Sequence, residues 1–449
     1  MEQDFGSGSR RCNIFCIFHF CKMLLYKYRA TSGYVDFMLF YFYRRKITAL
    51  IPIHTSAVIF KNNLLEACAM VINTELENIL IEKGGIYESD EELELFLGPL
   101  RNRLLRHCEI AKQYVYTNSN RRIEFDFISN FSVNAFAYAS PPGENEFDFI
   151  GINIGSCVML LNILNRIFSH PNAFPDWGDV RQEQIDYELL RGLTFDDVVG
   201  PVIVPKNPTR HAIANMLYGA CMDFLFFHEM SHLRNGHLEW LRSTGTMNHF
   251  AEVESNGCSS SYALERQALE MDADCGAMLF SFNNALEIHS GRLPKLEEQK
   301  SLPQAAIEAL NILYGTPARC AETTAIASYI FFRIFDKSDW NMFKPSLLTH
   351  PEIPLRMHWS ITLLQELLNT NVESNLGICN LNSLANVIPN IEQAYGLIQG
   401  TAPDPRGILS VTGDSLNLNI AHLVAVKAAW TSLHPLLEPN VRGGKLAPP

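Results

Sequence analysis

Phe224-Leu225-Phe226-Phe227-His228-Glu229-Met230-Ser231-His232 is the stretch from which the rest of the chain can be read. It carries the pattern HExxH, and the apolar periodicity around it predicts one helix over Ala212 to Leu241. Residues four apart lie one turn above each other on the same helical face. Both imidazoles can therefore reach one zinc ion at about 2.0–2.1 Å. Glu229 projects beside them, placed to act as a base on water held at the metal rather than to bind the metal itself. A run of phenylalanines just before the motif argues that the helix is buried. Two histidines and a carboxylate in a buried helix are costly without a partner, and a metal ion would be that partner. The plain alternative is a helix that carries these residues by coincidence.

A third ligand comes from further along. Glu265-Arg266-Gln267-Ala268-Leu269-Glu270-Met271-Asp272-Ala273-Asp274-Cys275-Gly276 lies in a second predicted helix, Tyr262 to Ile288. Glu270 and Asp274 are spaced i, i+4 and share a face. Glu270 can complete a two-His, one-Glu site with a fourth position left for water. Asp274 can accept a hydrogen bond from a ligand imidazole and so fix its tautomer. Glu265 is a second candidate for the ligand role. An acidic solvated face is the competing explanation, but Ala273, Gly276 and Ala277 beside the acids predict close packing on another helix.

These motifs resemble those of gluzincin metallopeptidases of the HtpX and CAAX-prenyl-protease type. In that group HExxH is followed by a further His, here His237. The second motif, usually written ExEADxxG, is matched by Glu270, Asp272, Ala273 and Asp274, with Ala277 where glycine is usual. An Asn-Ala-Phe-Ala segment is matched by Asn134-Ala135-Phe136-Ala137, and a Thr-His-Pro segment followed by Arg by Thr349-His350-Pro351 and Arg356. The resemblance spans roughly residues 121–368. Soluble peptidases similar to the phage-exclusion protease Lit also carry HExxH, and the ImmA/IrrE-like regulators share HExxHxxxxH.

The resemblance implies a zincin-type domain that hydrolyses peptide bonds using one zinc ion. His350 and Arg356 would approach the fourth coordination position, where fixed donors stabilise a developing oxyanion; His350 could instead bind zinc at rest, or simply belong to a Pro-bounded helix start. Asn134 would contact the substrate backbone, unless it is a strand-end asparagine. His237 is expected to pack near the helix end rather than to bind metal. A substrate strand is expected to add to the sheet edge near Asn134 to Tyr138, because β-augmentation reads backbone with little sequence demand.

The chain has 449 residues, enough for one large or two moderate cores, and its 47% apolar content is that of an ordinary globular protein. A formal net charge of −12 argues against nucleic acid as a partner and leaves a protein or peptide as the expected substrate. Eleven cysteines, an odd number without a CxxC pair, fit reduced thiols and a cytoplasmic location better than a disulfide framework. The close set Cys12, Cys16, His19 and Cys21 matches no zinc-ligand spacing.

Residues 1–60 stand apart. Aromatic-rich runs at Ile14 to Tyr26 and Tyr34 to Tyr43 are broken by basic residues and are shorter than the roughly 20 residues that a spanning helix needs. They read as a poorly structured extension or as translation from an upstream start, with Met70 as the start of the folded protein; a membrane-associating arm is the third reading. Residues 61–400 are expected to form the metallopeptidase domain, with 170–207 as a loop-rich insertion that either covers the cleft or runs over the surface. Residues 401–449 are expected as a tail, with an alternating piece at Ile408 to Leu418 and a helix near Ala421 to Ser432.

Helical patterning over Asn63 to Gln113 is followed by three strand signals, Arg121 to Ile128, Ser132 to Ala139 and Phe147 to Ile154. Helices are then expected at Ser156 to Ser169, at the two motif segments, and at Ala305 to Tyr314, Ala321 to Phe335 and Pro354 to Leu368. The predicted fold is α+β: a mostly helical domain with a small antiparallel sheet and the metal between the His228 and Glu270 helices. The function that follows is a zinc-dependent endopeptidase. The rival from another class is a non-catalytic regulator that uses the same residues as a structural zinc clamp, with the fourth position filled by a protein group.

Overall fold

The computed structural model describes residues 74–88, 91–143, 146–184, 189–190, 203–245, 249–251, 262–292, 302–335, 351, 353–371, 384, 386–404 and 413–447. Residues 1–60, the Cys12–Cys21 cluster, Met70 and His350 lie outside this set. So does much of the loop-rich stretch, namely 185–188 and 191–202.

In chain order the elements are α1 (Thr74–Lys83), α2 (Glu91–Ile110), β1 (Arg122–Ile128), β2 (Ala135–Ala139), β3 (Phe147–Asn153), α3 (Ile154–Ser169), α4 (Pro208–Arg234), α5 (His237–Ser243), β4 (His249–Ala251), α6 (Ala263–Glu287), α7 (Gln304–Tyr314), α8 (Pro317–Phe335), α9 (Ile353–Asn371), α10 (Val387–Gln399) and α11 (Gly413–Leu437). The architecture is α+β and mostly helical. Among the described residues no helix is long and apolar enough to cross a membrane. The described cysteines Cys108, Cys157, Cys221, Cys275 and Cys320 are free thiols.

The sheet is mixed, which corrects the expectation of an antiparallel one. Its order is β1-β3-β2-β4. β2 pairs antiparallel with β3 and with β4, but β3 returns beside β1 and runs parallel to it, Arg122 opposite Phe147 through Ile128 opposite Asn153. Alternation of residue types predicts a strand and its buried face, not the direction of its neighbour, so this pairing is set by topology.

α4 is the hub. It packs against α3, α6, α7 and α8 and touches β2. Its start is sharply defined: Pro208 occupies the first turn, where its missing N–H costs nothing, and the Asn207 side chain accepts from Arg210 N at 3.0 Å. Its end differs from the expected run to Leu241. The helix stops at Arg234, Gly236 takes a left-handed φ of 76°, and α5 begins at His237. A glycine just past a helix end adopts this conformation without the Cβ penalty.

Buried polar groups fasten the hub to its surroundings. Arg210 is fully buried and donates to the carbonyls of Phe168, His170, Ala173, Phe174 and Trp177, which ties residues 168–177 to the base of α4. Asp223, on the same helix, accepts from Arg103 Nε and Nη2, lies 2.9 Å from His107 Nε2 and accepts from Asn284 Nδ2 at 3.0 Å. It thereby joins α2, α4 and α6. At the far side, Asp148 of β3 is held between Arg121 and Arg442, and Arg442 also pairs with Glu239 of α5.

Candidate metal centre

The two motif helices meet through small side chains. A Cβ on Gly276 of α6 would stand 2.3 Å from Ser231 Oγ of α4. Only hydrogen at position 276 lets the helices come this close, as the small residues around the acids predict. Ser231 turns its hydroxyl back to Phe227 O at 2.7 Å, so the side chain between the two histidines is satisfied within its own helix.

That approach brings His228, His232 and Glu270 together. Ligand atoms of the three lie within 4.8 Å of one another, and all three side chains are buried. His228 Nε2 is 3.1 Å from His232 Nε2, 3.4 Å separates His228 Nε2 from Glu270 Oε2, and 3.7 Å separates His232 Nε2 from Glu270 Oε1. Bonds of 2.0–2.1 Å to a tetrahedral ion give ligand-to-ligand edges of about 3.3 Å. The nitrogen–nitrogen distance and the two approaches, each to a different Glu270 oxygen, lie on either side of that value. The rings stand nearly perpendicular, 77° between planes, and each presents its Nε2 to the shared point. The cluster can hold a metal ion. Glu265, the second ligand candidate, is half-buried in the first turn of α6 and does not join the group. Glu229 follows His228 in α4 and is 1% exposed.

Each ligand imidazole has its other nitrogen facing a protein group. His228 Nδ1 is 3.1 Å from Asp274 Oδ1, at ion-pair distance. Arg356 grips the same carboxylate with a two-pronged contact, Nε to Oδ2 at 2.9 Å and Nη2 to Oδ1 at 2.7 Å, and its Nη2 is 3.6 Å from Glu270 Oε2. The guanidinium also lies 4.2 Å over the Phe332 ring. Arg356 is thus brought to the cluster from α9, with two nitrogens committed to Asp274. Phe331 of α8 covers the His228 ring at 6.0 Å between centroids.

His232 Nδ1 is 2.9 Å from His237 Nδ1, and His237 Nε2 is 3.2 Å from Asp272 Oδ2. Asn235 Nδ2 donates to that same oxygen. Sequence reasoning placed His237 in simple packing and gave Asp272 no role. The signal that could have exposed them is the Asn235-Gly236 pair, a strong turn dipeptide inside an assumed helix.

Asn134 stands at the entrance of β2. Its Oδ1 accepts from Ala135 N at 2.9 Å, and its carbonyl accepts from Asn153 N and from Ser156 Oγ. These are the contacts of a strand-end asparagine. The edge expected to receive a substrate strand is partly taken: Phe136, Ala137 and Tyr138 pair with Ala251, Phe250 and His249 of β4. Over those residues β2 is paired on both sides, and among the described residues β4 is the edge strand, which corrects the expected docking position.

A further side chain reaches the Glu270 face from α11. His422 Nε2 is 2.6 Å from Oε1 of Gln267, one turn before Glu270. Burial holds the His422 pKa below its ordinary value, and its Nε2–H donates to the amide oxygen.

No family model, curated protein or solved structure matches the chain.

Proposed function

We propose that this protein is a zinc-dependent endopeptidase of zincin type, in keeping with the HtpX-like pattern of its motifs. The observation that carries the reading is the buried cluster of His228 Nε2, His232 Nε2 and the Glu270 carboxylate. The nitrogens are 3.1 Å apart, and one carboxylate oxygen is 3.4 Å from His228 and the other 3.7 Å from His232, close enough to share one zinc ion. Two nitrogens and one carboxylate oxygen are the donor set of catalytic rather than purely structural zinc sites, which favour thiolates. When bound, zinc would supply Lewis acidity, lowering the pKa of a coordinated water towards about 7 and polarising a peptide carbonyl.

The chain's own residues would do the rest. His228, His232 and Glu270 hold the metal. Glu229 accepts a proton from the attacking water and returns it to the leaving amine, as base and then acid. Asp274, braced by Arg356, keeps His228 in the tautomer that offers Nε2 to the metal. A peptide strand would extend the sheet from the outer edge of β4.

The clamp reading keeps one observation in its favour. His228, His232 and Glu270 are each 0% exposed, and a structural zinc site has all four positions filled by protein whereas a catalytic one keeps one for water. Zinc-loaded protein incubated with a peptide library separates the two. Chelator-sensitive cleavage within peptide chains is the expected result. A protein that binds one zinc ion and unfolds without it, yet cleaves no peptide, would be the clamp.

A further inference from the structure

We infer that His237 and Asp272 are positioning residues for the metal: together they fix the tautomer and ring orientation of His232. The inference rests on the metal-site reading above and adds a second, separate support to it.

The geometry depends on the helix break. On an unbroken helix, five residues correspond to about 500°, which would carry His237 about 140° round from His232. Because the chain reverses through Asn235 and the left-handed Gly236, His237 comes back over His232, with Nδ1 to Nδ1 at 2.9 Å. The Gly236 turn is tight, since a Cβ there would be 2.7 Å from Asn440 Cβ. Both histidines are fully buried and Asp272 is 5% exposed, so water does not compete for these contacts.

The direction of the hydrogen bonds follows from the chemistry. A neutral imidazole has one N–H and one lone pair. If His232 offers its Nε2 lone pair to a metal, its proton sits on Nδ1. That Nδ1–H must then donate to His237 Nδ1, which leaves the His237 proton on Nε2. From Nε2 it faces Asp272 Oδ2 at an ion-pair distance of 3.2 Å, and the Asn235 amide donates to the same oxygen. With the protons so placed, His232 presents its Nε2 lone pair to the ion. The branch parallels His228–Asp274–Arg356 on the other ligand, with an imidazole inserted between ligand and carboxylate. Glu270, Asp272 and Asp274 therefore divide the work: the first faces the ion, the third supports His228, and the second supports His232 through His237.

The test is zinc affinity of the full-length protein, measured by competition with a chromogenic chelator. His237→Phe keeps the ring and removes both nitrogens. It is expected to weaken zinc binding about 10–100-fold, the range for removing such supporting groups. Asp272→Asn, which retains an acceptor oxygen, is expected to stay within about threefold of wild type, and Asp272→Leu to fall about tenfold. The double variant His237→Phe with Asp272→Leu is expected to be no weaker than His237→Phe alone, since both cut one chain of contacts. His237→Phe binding zinc as tightly as wild type would show that the ring only fills space, and would overturn the inference while leaving the metal site standing. Wild-type protein that binds no zinc would remove the metal reading and this one with it. If the variants do not fold, nitrogen-15 histidine spectra of the zinc-loaded wild type decide: the Nε2–H tautomer of His237 is expected, and the Nδ1–H tautomer overturns the assignment.

Discussion

At the level of single residues, the site is a contest between the cost of burying charge and the gain from sharing it. Glu229 has the clearest individual consequence. Glu229→Gln keeps the shape but cannot take a proton, so zinc content should be unchanged while peptide cleavage falls about 10²–10⁴-fold, the usual worth of a positioned acid–base group. Undiminished cleavage would remove Glu229 as the base. His228, His232, Glu270 and Asp274 were legible in the sequence because helical spacing alone places each pair on one face. Arg356 was flagged by its motif, but its fork onto Asp274 was not, since nothing in a sequence fixes which of several nearby carboxylates a guanidinium will grip. His237 and Asp272 were hidden for a different reason. A helix assumed to continue through Asn235-Gly236 points His237 away from the site, and one left-handed residue reverses that.

Among elements, the close crossing of α4 and α6 controls the metal. Gly276→Val would drive a side chain into Ser231, and the helices must part or the side chains must strain, at about 1–3 kcal/mol. The expected outcome is a lower unfolding temperature together with at least tenfold weaker zinc binding, measured on the same preparation. Tight zinc binding by that variant would mean that the ligands do not depend on this approach. The sheet offers a second test. Phe250→Pro in β4 removes a backbone donor and should weaken strand addition, so peptide cleavage should fall with zinc content intact. Faster cleavage would instead indicate that β4 sits where the substrate belongs. Some elements were readable to within a few residues, as Arg122–Ile128 and Ala263–Glu287 show, but the helix Val387–Gln399 was not, and the helix Gly413–Leu437 begins inside the piece expected to alternate, Ile408 to Leu418. The parallel pairing of β1 with β3 was not, because both strands look alike whichever way their neighbour runs.

For the molecule as a whole, stability is expected to depend on a few buried ion pairs that span the helices. Burial pushes the Asp223 carboxyl up, but Arg103 and His107 beside it more than offset this and hold it well below the usual carboxylate range. A depressed folded-state pKa contributes stability that is present above the unfolded value, about 3.9, and lost as pH falls towards the folded one. Unfolding temperature should therefore drop as pH is lowered below about 4, and Asp223→Asn should flatten that limb while costing about 3 kcal/mol at neutral pH. Equal acid sensitivity in wild type and variant would assign the effect elsewhere. The Arg121–Asp148–Arg442 cluster similarly binds residue 442 to the sheet, a contact between positions so far apart in the chain that no local pattern could announce it. Asp223 and Arg210 both sit on α4, and what α4 presents is a pair of imidazoles. The most direct measurement is therefore the zinc content of purified full-length protein beside His228→Ala, His232→Ala and Glu270→Ala. One ion per wild-type chain, lost on each substitution with the fold retained, is the predicted result; a wild type without zinc, or variants that keep it, would contradict the account.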